Sequence, residues 1–386
     1  LHEESIDKAR QLLEEGDPEA AIAILEPLVE DDDEDVEALV ILGIAYVQAE
    51  ECSKAIQVLE TADELAEDHC VIKMFLGRAL LFEGKYDYAL DMIRDSISLD
   101  DSEPAAWADL GRIHYRQRNY REALGVLAEA SKRFPDDISV NALYALTLYR
   151  LGDYTAATEE WARVHRLQPD LMAAISNYAY LLLIQDRSFE AAPFVGAANT
   201  IDPADYRSLI LLGELRFKSG DLEGATEAFL QVLEQDSENV EALARLALIL
   251  HLSLDAKMSR HYLSRAEMQL GENPESWRGL CSIYPLLEMV PEYLECLTRW
   301  AKMDKGAATP WVLLAVEHER QGRHDDAQEA WRKAFELRGY VKIRCPACGT
   351  EDRRPYLDSK GFDPFLDVVC VNCGEKVKMP EGLAVD

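Results

Sequence analysis

Residues 104–137 read PAAWADLGRIHYRQRNYREALGVLAEASKRFPDD. Trp107, Leu110, Gly111 and His114 fall at offsets of three and four, which places them on one stripe of a helix. Asn119 and Tyr120 make a turn, and Ala123, Leu127 and Ala130 then form the facing stripe of a second helix that Pro135 ends. Steps of 34 from Gly111 land on Ala9, Gly43, Gly77, Ala145, Ala179, Gly213, Ala247, Cys281 and Ala315. The same step from Ala123 lands on Ala21, Ala55, Ala89, Ala157, Ala191 and Ala225, then on Ser259, Tyr293 and Ala327. Small residues recur where two helices approach closely, so the period predicts ten helical hairpins over residues 2–341 without an insertion. A lone hairpin cannot bury its apolar face. Such units therefore stack into a solenoid, an architecture that binds rather than transforms.

Unit ten carries Trp311, Leu314, Ala315, His318, Ala327, Trp331 and Ala334, and unit two carries Leu39, Leu42, Gly43, Tyr46, Ala55, Leu59 and Ala62. This pattern resembles the tetratricopeptide repeat (TPR). The resemblance implies an all-α, right-handed superhelix whose first helices line a concave groove. Gly16, Gly84, Gly152, Gly220 and Gly322 recur at the turn, where a positive φ ends the first helix. Units eight and nine depart from the pattern. Ser259 and Tyr293 replace the small residue, and Pro285 and Pro291 fall inside or beside helices, so irregular packing is expected within 255–300, centred on 283–293.

Residues 342–386 form a separate segment. Cys345-Pro346-Ala347-Cys348-Gly349 and Cys370-Val371-Asn372-Cys373-Gly374 are two copies of one turn. Each supplies two sulfurs from a tight loop, and four thiolates suit a closed tetrahedral zinc site with no open position for catalysis. Tyr356-Leu357 and Phe362 to Val369 read as extended segments around a Gly-Phe-Asp-Pro turn, and the whole resembles a zinc ribbon. Structural zinc is the expected cofactor, with iron in the same four-sulfur set as its rival. The last hairpin would otherwise expose its apolar stripe, so the ribbon or its lead-in is expected to pack on unit ten. Cys52, Cys70, Cys281 and Cys296 show no short pairing and read as free thiols, which fits a reducing, cytoplasmic setting.

The formal charge of −32, from 72 acidic and 40 basic residues, argues against general nucleic-acid binding. Arg353, Arg354 and Lys360 form only a small basic patch in a ribbon that is close to neutral. No run of 18 apolar residues occurs, so no membrane segment is expected in this sequence. No H-E-x-x-H, G-x-S-x-G or Gly-rich phosphate loop is present, and no enzymatic role is expected.

Positions that the TPR resemblance places on the concave face carry a distinct set. Arg78 and Arg112 share one repeat position, and Arg116 and Arg150 share another beside Tyr115 and Tyr149, followed by Asn177 and Tyr180. Arginine forks hold carboxylates and tyrosine offers flat apolar area with a polar tip, so the groove is expected to bind a peptide or helix of a partner protein, an acidic one by charge. The competing reading pairs these arginines with Asp109, Glu83 or Glu122. TPRs followed by four cysteines are also similar to the bacterial lipopolysaccharide assembly protein B family, where a membrane-tethered array recruits a protease adaptor complex. This sequence departs from that family in lacking the membrane helix and in the wider spacing of its knuckles. The leading expectation is a scaffold or adaptor, with envelope or lipopolysaccharide assembly control and a nucleic-acid role for the ribbon as alternatives. Nothing in the pattern forbids end-to-end self-association of the array.

Overall fold

The computed structural model describes residues 2–271, 273–356, 365, 367–379 and 383. The expected Gly-Phe-Asp-Pro turn, Leu357 and Lys360 lie outside the described residues. Twenty helices pair into hairpins numbered one to ten. The first eight hairpins are α1 (His2–Glu15) with α2 (Pro18–Asp31), α3 (Val36–Gln48) with α4 (Cys52–Leu65), α5 (Cys70–Phe82) with α6 (Tyr86–Leu99), α7 (Pro104–Arg116) with α8 (Tyr120–Arg133), α9 (Ile138–Arg150) with α10 (Tyr154–Leu167), α11 (Met172–Ile184) with α12 (Ser188–Ile201), α13 (Tyr206–Lys218) with α14 (Leu222–Gln235), and α15 (Val240–Leu252) with α16 (Ala256–Met268). The last two are α17 (Pro274–Cys281) with α18 (Val290–Met303), and α19 (Thr309–Arg320) with α20 (His324–Arg338). Every second helix starts 34 residues after the one before it, from Pro18 to His324. The chain divides into two compact units, Leu1–Leu143 and Tyr144–Asp386.

One packing rule recurs in both units. The small residue of each first helix faces the side chain sixteen positions later on the second. A Cβ built on Gly43, Gly77, Gly111 or Gly213 would lie 2.5–2.8 Å from Leu59, Ile93, Leu127 or Phe229. Those four side chains are at most 0% exposed, and burying each contributes about 2–3 kcal/mol. The inter-helix turn is equally regular. Glycines 16, 84, 152, 220 and 322 have φ of 69–84°, and the non-glycine residues Glu50, Arg118, Asp186, Leu254 and Glu288 adopt φ of 57–62° at the same repeat position. The hairpin thus imposes the left-handed residue whether or not glycine is there. At the other end, Asp17, Asp153, Asp221 and Asp255 each accept a backbone N–H of the second helix as N-caps, worth about 1 kcal/mol apiece.

Hairpin eight keeps its regular form. Ser259 is buried where Ala would stand, and its hydroxyl donates to the Ala247 carbonyl at 2.8 Å. Hairpin nine does not. α17 stops after eight residues, Tyr284–Leu287 form a 3₁₀ turn around Pro285, and Glu288 reverses the chain. Pro291 sits in the first turn of α18, where its missing N–H costs nothing. The structure also corrects the reading of four free repeat thiols: Cys281 and Cys296 are joined as a disulfide between α17 and α18, while Cys52 and Cys70 are free.

After α20 the chain turns through Gly339 into β1 (Tyr340–Arg344), which pairs antiparallel with β2 (Glu351–Pro355). A second antiparallel pair joins β3 (Val368–Val369) to β4 (Lys376–Val377). The strands share a core with hairpin ten. Val341 and Ile343 lie in one cluster with Trp331 and Phe335, and Tyr356 packs 5.6 Å from the Phe335 ring. Among the described residues no helix is long and apolar enough to cross a membrane.

Gly111→Val should place two methyl groups inside Leu127 and destabilise unit Leu1–Leu143 by about 1–3 kcal/mol. Gly125→Ala, on the open face of α8 with nothing within 4 Å, should instead stabilise it by about 0.5–1 kcal/mol. Thermal or urea melts of the two variants check the rule, and equal midpoints would refute it.

Candidate functional site

The four-cysteine cluster is assembled by two loops with the same hydrogen bonds. In the first, Cys345 N–H donates to Thr350 O at 2.9 Å and Gly349 N–H to Cys345 O at 2.8 Å. In the second, Cys370 N–H donates to Glu375 O at 2.8 Å and Gly374 N–H to Cys370 O at 3.1 Å. Gly349 and Gly374 have φ of 72° and 75°, the conformation that this turn requires and that a side chain would strain. β1 and β2 flank the first loop, and β3 and β4 flank the second. The four Sγ atoms lie within 4.8 Å of one another, with Cys345–Cys373 at 3.6 Å and Cys348–Cys370 at 3.7 Å. A tetrahedron with zinc–sulfur bonds of about 2.3 Å has edges of about 3.8 Å, so the donor set fits the ion. The Thr350 hydroxyl and backbone N–H draw the Cys348 thiol down to about 6, toward the thiolate a metal needs.

The strand that leads into the cluster carries a second set of contacts. Its side chains alternate, so Val341 and Ile343 face hairpin ten while Tyr340 and Lys342 face the other way. There they meet Asp153, the N-cap of α10, which is 0% exposed. Tyr340 OH donates to Asp153 Oδ2 at 2.6 Å, Arg353 Nη2 stands 2.6 Å from the same oxygen, and Lys342 Nζ stands 3.4 Å from Oδ1. Arg338, itself buried, donates from Nε to the Leu151 carbonyl at 2.6 Å and from Nη2 to that of Gly152 at 3.0 Å. Burial alone would raise the Asp153 pKa, but Arg353, Lys342, Tyr340 and Arg338 outweigh it and hold the carboxylate below its usual range. Gly152 is doubly constrained, by φ of +73° and by Thr309 and Arg338, each within 2.8 Å of any Cβ. Sequence reading missed this anchor, because Asp153 looks like the caps Asp17, Asp221 and Asp255. Lys342 gave no signal either, since strand alternation reads a lysine between Val341 and Ile343 as facing solvent.

The arginine and tyrosine positions fall into both units. In Leu1–Leu143, Arg78 Nε and Arg112 Nη1 both bind Asp109, at 2.6 and 2.5 Å, and Asp109 is 1% exposed. Arg116 is exposed and close enough that its charge, with that of Arg78, depresses the Arg112 pKa after burial itself. Tyr115 packs on Tyr120 at 5.2 Å. In Tyr144–Asp386, Arg150 pairs with Glu275 from α17. Arg278, also from α17, lies over the rings of Tyr180 at 4.8 Å and Tyr149 at 5.3 Å and donates to Glu275 at 2.9 Å. Asn177 donates to its own helix at Ala173 O. These residues are therefore engaged by hairpin nine or by their own helix.

The same unit holds a titrating carboxylate. Removal from water, followed by the charge of Glu214, lifts Glu241 to about 7 against Arg245. Because folding raises this pKa above 4.5, its stabilisation is complete below about pH 4.5 and is lost as pH rises through about 7. The melting midpoint of the full chain should carry a component that falls between about pH 5 and about pH 8, and Glu241→Gln should flatten it. A profile indifferent to that substitution would contradict the assignment.

Two family models, both described as tetratricopeptide repeat, match residues 12–78 with 80–147, and residues 210–256. The human (Homo sapiens) protein O-mannosyl-transferase TMTC3 is 24% identical over 203 residues, covering 48% of this chain and 22% of that protein. Its Drosophila melanogaster counterpart is 26% identical over 117 residues, covering 30% and 13%. The chain thus spans less than a quarter of the length of either relative. Among solved structures, Pseudomonas aeruginosa pilF is similar at 22% identity and a TM-score of 0.49, with 53% of this chain and 93% of that one covered. The C-terminal part of a TPR protein from Cytophaga hutchinsonii is similar at 16% identity and a TM-score of 0.46, covering 61% and 97%.

Proposed function

We propose that the chain, which matches tetratricopeptide-repeat models over part of its length and carries a cysteine cluster able to hold a metal, is a non-enzymatic scaffold that grips an acidic segment of a partner protein through Arg78, Arg112, Arg116 and Tyr115. The observation that carries this reading is the charge imbalance around Asp109. Asp109, a buried carboxylate, orients Arg78 and Arg112, and Arg116 stands close enough to act on Arg112, which leaves an excess of positive charge in a chain of net charge −32. Arginine held in this way is already ordered, so less entropy is lost when it closes on a carboxylate. Tyr149, Arg150 and Tyr180 would join the surface only after hairpin nine moved, and Asn177 is bound to its own helix, so the reading rests on the first unit.

Zinc at Cys345, Cys348, Cys370 and Cys373 is the proposed resident ion, since four thiolates with no further donor close its coordination shell. Its role is structural, to fix the two loops and cap hairpin ten. Against the nucleic-acid alternative, two of the three residues of its basic patch are paired, Arg353 with Asp153 and Arg354 with Asp352. No observation favours the lipopolysaccharide-assembly alternative.

A labelled glutamate-rich peptide carrying one leucine should bind the full chain, with an affinity that falls as salt rises. Arg112→Glu combined with Arg116→Glu should weaken it about tenfold or more, and equal affinity would remove this surface from the function. Metal analysis of the purified chain should find zinc, and Cys348→Ser should lose it. A visible absorption band from iron would overturn the choice of ion.

A further inference from the structure

We infer that metal binding at the four cysteines and closure of the second unit onto Asp153 are one coupled equilibrium, with Asp153 as a positioning residue for a metal site that it does not touch. The inference rests on the reading of the cluster as a metal site and goes beyond it by assigning a remote determinant of affinity. Cys345 follows directly on β1, and β2 follows directly on the first loop. Fixing that loop fixes the β1–β2 register, which sets Lys342 opposite Arg353. Both cations then point at one carboxylate, and Tyr340 from the same strand completes its shell.

The link is strong because its central members are desolvated. Lys342 is 2% exposed, Arg338 is 3% and Asp153 is 0%, so none can turn to water when its partner leaves. Lys342 also reaches Glu351 at 3.1 Å, which ties the buried ammonium to the edge of β2 beside the loop. Releasing the loop would leave a buried carboxylate 189 residues upstream short of partners, and discharging that carboxylate would leave the buried Lys342 with Glu351 alone. Linkage requires the two effects to be equal: whatever metal binding contributes to closure, closure contributes to metal affinity. Arg150 immediately precedes the same turn, so loosening it also loosens the Arg150–Glu275 pair beside Arg278, the cation that lies over Tyr149 and Tyr180.

Asp153→Asn tests this on the full chain. Asparagine is as good an N-cap as aspartate, so α10 keeps its start while the charge is lost. Competition titration with a chromophoric chelator should show zinc affinity reduced between about fivefold and a hundredfold. Asp221→Asn, at the same repeat position but away from the strands, should leave it unchanged. In the native sequence, stripping zinc should speed amide hydrogen exchange at residues 147–154 as well as at 340–355, with 36–99 unaffected. A chain that binds no zinc would overturn the metal reading itself. Zinc bound with equal affinity by the native chain and Asp153→Asn, or 147–154 staying protected without metal, would overturn the coupling alone.

Discussion

Each hairpin depends on one close approach, in which a first-helix residue with little or no side chain receives the side chain sixteen positions later. Leu59, Ile93, Leu127 and Phe229 fill the spaces left by Gly43, Gly77, Gly111 and Gly213, and each would collide with any Cβ there. The contact fixes the distance between two helices, the turn between them and the stripe left over for the next pair. That constraint explains why the turn adopts a left-handed residue even at Leu254 and Arg118, where it costs about 1–2 kcal/mol. It also explains where the array yields. At hairpin nine Cys281 and Tyr293 replace the small residues, α17 is cut short, and a disulfide to Cys296 holds its end.

The burial of Asp153 follows a different logic. A carboxylate with no exposure is costly unless it is paired, and removing one partner from such a group typically costs about 3–5 kcal/mol. Here the partners come from α20, β1 and β2, which bracket the first cysteine loop. A small β module with little core of its own thereby gains a second anchor besides its packing on Trp331 and Phe335. The arrangement favours specificity over raw stability. A buried ion cluster accepts one register of β1, because a slip by one residue would put Val341 or Ile343 against Asp153.

The arginine and tyrosine positions show how one repeat position acquires different chemistry. Arg112 and Arg78 converge on an acid of their own unit and keep donors to spare, whereas Arg150 is consumed by Glu275. Tyr149 and Tyr180 hold Arg278, an internal cation from α17. Identical spacing in sequence thus gives an arginine cluster around Asp109 in one unit and pairing with hairpin nine in the other.

The sequence by itself determined the period, the positive-φ turns at the five recurring glycines and the two cysteine loops. All of these follow from interactions within a hairpin or a tight turn, where spacing in sequence is spacing in space. It also flagged the break near Pro285, since a proline's effect on its own helix is local. Only the tertiary structure decided the fate of Asp153 and the occupation of Tyr149 and Tyr180 by Arg278; the Cys281–Cys296 bond, although within one hairpin, depends on the shortened α17, whose end no repeat position marks. A 34-residue repeat specifies contacts between neighbouring hairpins, because those recur with the period. Contacts between hairpins several repeats apart depend on how small rotations accumulate along the stack, and no local pattern of residues records that sum.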